Sequence, residues 1–228
     1  MPSPEDSVAV VPSTENSTID DPIEDHPDAE IKTVFEDPID FNIKHPLQNS
    51  WVLWFDNPQR KNTNQANWSQ NLKNLITIDT VEDFWGVYNN IMKATTLSNS
   101  ANYHLFKLGI QPAWEDKQNA NGGKWVINVP KRKSPSGADL DQLWLYTMLA
   151  CIGEAFPDSE EICGAVVSIR KVDRISLWTR SALDREKQER TGVQWKKSLG
   201  WDDKIGYQAH SDALRKNSSY SNAEMYTV

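Results

Sequence analysis

Two tryptophans and an acid, Trp68, Trp114 and Glu115, sit in polar, turn-rich segments where a folding core has little use for an indole. Trp114 is followed by Glu115 and Asp116, which places a large π-face beside a carboxylate on what reads as a loop. Two such plates and an acid could hold a flat, cationic, hydrogen-bond-donating ring. Stacking contributes roughly 1–3 kcal/mol per plate, and cation–π attraction adds about 0.5–2 kcal/mol. A carboxylate accepting two N–H donors from the ring edge adds on the order of 1.5–3 kcal/mol. After the cost of association, micromolar binding, about −8 kcal/mol, is within reach. Basic residues on nearby strands would hold attached phosphates. Arg170, Lys171 and Arg174 cluster about one hairpin, and Lys124 follows Gly122-Gly123.

Catalytic signatures are missing where they would be easiest to see. The chain has no GxxxxGK[ST] phosphate loop, no HExxH, no GxSxG and no CxxC pair. Its four histidines (His26, His45, His104, His210) make no metal-ligand spacing, and pairs such as Glu160-Glu161 read as solvated acids. Binding without catalysis, metal or cofactor is the expectation.

The elements that must position these residues alternate without an internal repeat. Ser50–Asp56 reads as a strand rich in aromatic and β-branched residues, followed by a polar loop from Asn57 to Gln70 that carries Trp68. Thr80-Val81-Glu82-Asp83 has the form of a capping box. Behind it Val81, Phe84, Trp85, Tyr88, Ile91 and Met92 lie at helical spacing. Tyr103–Leu108 and Lys124–Val129 read as strands, separated by the Trp114 loop and the turn at Asn121-Gly122-Gly123. After a loop from Lys131 to Gly137, Asp139–Ile152 reads as a second amphipathic helix. Ala165–Arg170 and Arg174–Thr179 form a hairpin about Lys171-Val172-Asp173, Asp184–Lys197 a third helix, and Lys204–His210 a last strand. Strands without βαβ rhythm plus three helices indicate an α+β domain with a largely antiparallel sheet. By pattern alone, Trp51, Trp54, Trp125, Trp144 and also Trp85 are core residues.

Charge is unevenly distributed. The formal net charge is −8, yet residues 1–44 hold twelve acids against two bases, so the remainder carries a slight positive excess and a polyanionic ligand is not excluded. The same opening segment has six prolines and no sustained apolar periodicity. It is expected to be disordered as far as about Asp37, with residues 1–44 an acidic extension and 45–228 the binding domain. No run of about eighteen apolar residues exists to span a membrane, and no secretory signal is visible. The only thiols, Cys151 and Cys163, lie in apolar surroundings, which suits a reducing cytosol.

Several runs together carry a resemblance. His45-Pro46-Leu47-Gln48-Asn49, Trp51 through Phe55, Thr80 through Trp85, Trp114-Glu115-Asp116, Gly122 through Trp125, Cys163 through Val167 and Ile205-Gly206-Tyr207-Gln208 resemble, in order, the eukaryotic translation initiation factor 4E family over about residues 45–228. A member of fungal type is expected. The resemblance implies a strongly curved, largely antiparallel sheet of about eight strands with three helices on its convex face. It implies that Trp68 and Trp114 sandwich the 7-methylguanine of the messenger RNA cap while Glu115 bonds its N1 and N2 edge. It also places Trp178 near the methyl group, with Arg170, Arg174, Lys124, Lys171 and Lys216 at the phosphates. Opposite them, His45, Pro46, Val81, Trp85, Leu145, Leu149, Ile152 and Gly153 match a patch that receives a helical YxxxxLΦ peptide (Φ hydrophobic) from the scaffold factor 4G or from 4E-binding repressors. Tyr146 stands where vertebrate members have a glutamate. The hairpin is one residue shorter than the vertebrate pattern, and Ser219 lies near a serine phosphorylated in vertebrate members. A cytoplasmic monomer is implied, with the nucleus as a second compartment. The alternatives are a tryptophan-platform module for unmodified single-stranded RNA or carbohydrate, and an enzyme that hydrolyses the cap. Trp195 and Trp201 have no counterpart in the vertebrate pattern.

Overall fold

Strand and helix order in the chain follows the local signals closely. The computed structural model describes residues 43–57, 71–131, 139–216 and 223–228. The acidic extension, the Trp68 loop, the loop before the second helix and Ser219 lie outside the described residues. The elements are β1 (Pro46–Asp56), β2 (Lys73–Thr80), α1 (Val81–Asn90), β3 (Asn102–Lys107), β4 (Gly123–Val129), α2 (Leu140–Ile152), β5 (Ile162–Ser168), β6 (Asp173–Thr179), α3 (Arg185–Leu199), β7 (Gly206–Ala209), α4 (His210–Lys216) and β8 (Tyr226–Thr227). The strands form one open, antiparallel sheet in the order β2-β1-β3-β5-β6-β4-β7-β8. Among the described residues no helix is long and apolar enough to cross a membrane.

Helix starts are fixed by side-chain caps. The Thr80 hydroxyl accepts from Asp83 N at 3.1 Å, Asp139 accepts from Gln142 N at 2.8 Å, and Asp184 accepts from Lys187 N at 3.2 Å. α3 stops where Gly200 adopts a left-handed φ of 60°, with Lys196 and Lys197 in the last turn to complement the helix dipole.

Side-chain alternation divides the sheet into two faces. Leu53, Leu105, Ala165, Leu177, Trp125 and Tyr207 point to one face, where they join Phe84, Leu143, Met148 and Trp195 of the helices in the main core. Trp195 docks α3 on α2, its Nε1–H donating to the Thr147 hydroxyl at 3.2 Å. Gly192, one turn earlier, leaves room for the Trp125 ring: a Cβ there would come within 2.7 Å of it. These two positions give Trp195 a packing role.

Three expectations need correction. Trp54 is not a residue of the helix-side core: three positions from Trp51, it points to the other face and is half-buried there. Trp85 does not belong in the core either, being 39% exposed, because α1 rests on β2 by its Phe84 side. The strand expected to be the last, β7, ends at Ala209, where His210 opens a short helix instead of closing the strand, and β8 follows it. β2, which pairs with β1, is not among the expected strands, although Ile76, Thr77 and Ile78 are β-branched.

Candidate functional site

The face turned away from α1–α3 is built from rows of even-numbered residues in register across five or six strands. One row runs Val52, Phe106, Gly164, Trp178, Lys124, Gln208. The next runs Trp54, His104, Val166, Ser176, Val126, and the third Asp56, Asn102, Ser168, Arg174, Asn128. Phe106, Ile110, Cys163, Val166 and Trp178 form a second, smaller apolar cluster here, and Trp114 packs against it while staying partly open to solvent.

The loop that brings Trp114 to this cluster is braced from within. Asp116 accepts from Gln111 N at 3.0 Å and Gln118 N at 2.8 Å. The buried Asn119 amide donates to the carbonyls of Gln111 and Ala113, each at 2.8 Å. Asp116 is therefore a loop brace, whereas its neighbour Glu115 is exposed beside the indole. Cys163 donates to Gln118 O at 3.5 Å, and burial pushes its thiol up to about 11, so it is an apolar floor and not a nucleophile.

Basic groups lie beyond the aromatic row. Lys124 is only 4% exposed, and burial, aided by the Arg174 charge, lowers its ammonium to about 8. His210 lies against Trp178 with ring centroids 4.1 Å apart. Burial, then the Lys124 charge, lowers its pKa to about 3, and it is neutral. Arg170 is held at the other edge: its Nη2 donates to Asn102 Oδ1 at 3.0 Å and Nη1 to Ile169 O at 2.8 Å. Asn102 donates in turn to Asp56 at 2.8 Å, and His104 Nε2 meets the same Asp56 oxygen at 2.6 Å. Arg174 donates to Asn128 Oδ1 at 3.3 Å, and Lys171 is exposed in the β5–β6 turn. Lys216 ends α4, and its side chain lies outside the description. The structure thus brings Trp114, Trp178, Lys124, Arg170 and Arg174 to one face, whereas Trp68 lies outside the described residues. Gln208, His210, Phe106 and the Asp56–His104–Asn102 group belong to the same face and were missed. Only their alternation with core residues on assigned strands could have marked them.

The model of the eukaryotic initiation factor 4E family matches residues 46–225. This chain belongs to the eukaryotic initiation factor 4E family. It is 48% identical over 200 residues to eukaryotic translation initiation factor 4E of Aplysia californica, covering 86% of this chain and 89% of that protein. With factor 4E-1 of Solanum lycopersicum it shares 46% over 190 residues, covering 83% and 78%. Among solved structures, a complex of C. elegans eIF4E-3 with the 4E-binding protein Mextli and cap analog is 37% identical with a TM-score of 0.71, over 82% of this chain and 100% of that one. Schistosome eIF4E complexed with m7GpppG and 4E-BP is 31% identical with a TM-score of 0.72, over 82% and 100%. These relatives carry no support for a fungal subtype.

On the helix face of this factor 4E chain lie the residues that the resemblance marks for a partner peptide. Val81 and Trp85 are 38% and 39% exposed one helical turn apart on α1. Leu145 and Leu149 are half-buried on α2, Tyr146 is exposed with its hydroxyl held by Gln142 at 2.8 Å, and Gly153 caps the helix. Ile152 is buried in the core. His45 and Pro46 are exposed where β1 begins. His45 bonds Glu82 through both its backbone N–H, at 2.9 Å, and its ring Nδ1, at 2.6 Å. That pairing holds the Glu82 carboxyl down at about 2.

Proposed function

We propose that this chain binds the 7-methylguanosine cap of messenger RNA on the face that carries Trp114 and Trp178, and recruits 4E-binding partners through α1 and α2. Binding is its activity; no bond is made or broken. The observation that carries the reading is the braced Trp114 loop seated on the Phe106–Trp178 cluster, with Glu115 exposed beside the indole and Lys124 one strand beyond Trp178. In that arrangement Trp114 stacks on the base, with Trp68 as the second plate, and Glu115 accepts from N1 and N2. Trp178 meets the methyl group, and Lys124, Arg170, Arg174, Lys171 and Lys216 serve the phosphates. Support comes also from relatives in the same family that were solved with cap analogs and 4E-binding proteins.

The partner reading rests on an exposed apolar pair one turn apart on α1, Val81 and Trp85, and on the half-buried Leu145 and Leu149 of α2. That spacing receives the anchors of an amphipathic YxxxxLΦ helix from the 4G scaffold or a repressor. Residues 45–228 form the cap-binding unit, residues 1–44 an acidic extension, and the cytoplasm is the compartment in which both ligands are met.

Titrating tryptophan fluorescence with 7-methyl-GTP and with GTP tests the reading. Strong quenching by the methylated nucleotide alone is expected, and equal quenching by both would overturn it.

A further inference from the structure

A cavity of about 290 Å³ lies on the helix face where α1 ends, lined from α1, α2, β3 and the single-turn 3-10 helix Ala94–Thr96. That volume sits at the lower limit of ligand pockets, roughly 300 Å³, and suits one large side chain. Its walls are aromatic: Tyr88 comes from α1, Tyr103 from β3 and Trp144 from α2, with Met92 59% exposed beside them. Tyr103 is 5% exposed, yet neither its hydroxyl nor that of Tyr88 has a hydrogen bond among the described residues. A hydroxyl held in an apolar wall without a partner costs stability. Both remain available to a group from outside the fold.

The charges that reach these hydroxyls are negative. Burial, then the carboxylates of Asp141 and Asp139, raises the Tyr88 hydroxyl above its ordinary 10.0, and burial raises that of Tyr103. Asp141 itself lines the cavity. It accepts from Thr95 N at 3.0 Å and from Thr95 Oγ1 at 2.5 Å, and a carboxylate can accept more than these. Lys93 is the one cation among the described lining residues, and it is exposed to solvent screening. Aromatic walls, unpaired hydroxyl oxygens and a carboxylate are the surroundings of an organic cation. A guanidinium meets them better than an ammonium, because it is planar, weakly hydrated and brings several donors in a fixed fork.

The cavity also continues the partner surface. Val81, Trp85 and Tyr88 follow one another at helical spacing along α1, and the Trp85 and Tyr88 rings meet edge to face at 5.9 Å. We propose that this cavity receives an arginine side chain of the 4E-binding partner, carried outside its YxxxxLΦ segment. Its stem lies along the rings and its guanidinium donates to the Tyr88, Tyr103 and Asp141 oxygens. This rests on the partner reading and deepens it, adding a charged anchor to an apolar interface.

Calorimetry on the full chain compares YxxxxLΦ peptides extended, on either flank, by Gly-Ser spacers of increasing length that end in arginine, lysine, leucine or glutamine. On one flank arginine should tighten binding about tenfold over glutamine, and lysine and leucine should do much less. Tyr103→Phe and Asp141→Asn keep side-chain size and leave Val81, Trp85, Leu145 and Leu149 untouched. Each should remove most of the arginine gain while binding the glutamine peptide as wild type does. Should Asp141→Asn not fold, Tyr103→Phe suffices, because its lost hydroxyl bonds nothing among the described residues. No arginine gain on either flank, a gain matched by lysine or leucine, or one retained in Tyr103→Phe overturns the arginine site. Failure of the glutamine peptides to bind at all overturns the partner reading instead.

Discussion

Phe106 and Trp178 meet edge to face, ring centroids 5.4 Å apart at 76°, across the strand that lies between them. The intervening residue in register is Gly164, where a Cβ would fall 2.5 Å from the Leu105 carbonyl oxygen and into the Phe106 ring. The missing side chain is what lets the two rings touch and form the floor beneath Trp114. Gly164→Ala should cost about 1–3 kcal/mol through overpacking. Thermal denaturation should show the lowered midpoint, and cap affinity should fall with it.

Arg170 depends on a neutral partner that is itself held by a buried acid. Removing the amide in Asn102→Ala takes away one of the bonds that hold the guanidinium, leaving that to the Ile169 carbonyl, and leaves Asp56 with one donor fewer. Binding of 7-methyl-GTP should weaken by about 1–2 kcal/mol, whereas binding of the phosphate-free nucleoside should hardly change. An equal loss for both ligands would assign Asn102 to general packing.

Lys124 should be a stability cost in the free protein. Its ammonium falls from the ordinary 10.5 to about 8, so the unfolded chain binds a proton that the fold resists between those values. Stability therefore rises with pH from about 8 to 10.5, and the whole penalty is present below 8. Lys124→Met should raise stability at pH 7 by up to about 3 kcal/mol while weakening 7-methyl-GTP. Denaturant melts and a fluorescence titration on the same sample check both halves.

His210 sets an acid limit on the fold. Its imidazole is lowered from 6.5 to about 3, so the unfolded state takes up a proton below 6.5 that the native state refuses. Stability should fall as pH drops through 6.5 and keep falling until about 3, with no contribution above 6.5. His210→Gln should flatten that limb in urea melts at pH 4–7.

Trp85 offers the reverse separation. Its indole is 39% exposed and packs edge-on with Phe84 and Tyr88 at 5.2 and 5.9 Å, so truncation opens no core cavity. Trp85→Ala should change the melting midpoint little and leave cap affinity alone. It should also weaken a YxxxxLΦ peptide by about 2 kcal/mol or more, as expected of an aromatic anchor, which calorimetry with the peptide would show.

Local signals were sufficient for most elements and insufficient for their faces. Capping at Thr80, Asp139 and Asp184, and the turn chemistry between β5 and β6, are short-range and could be read directly. The pattern that put Trp85 and Trp54 in the core failed because both sit on apolar stripes. Which stripe faces the helices is decided by the packing of α1 on β2 and by strand pairing, neither of which is local. The Trp114–Glu115 pair was visible because loops seldom carry an indole. His210 and Gln208 were not, since an ordinary strand end becomes a buried polar pocket only when β7 pairs with β4.

Leu105 and Phe106 are chain neighbours that serve opposite sides of the sheet. One residue inserted into β3, β4, β5 or β6 would exchange the two sides beyond that point, sending aromatic and basic groups into the helix layer and aliphatic ones into the ligand face. Length change is thus confined to the turns. A hairpin expected to be one residue shorter between Arg170 and Trp178 than the vertebrate pattern keeps both surfaces in phase when the missing residue falls in the turn before β6.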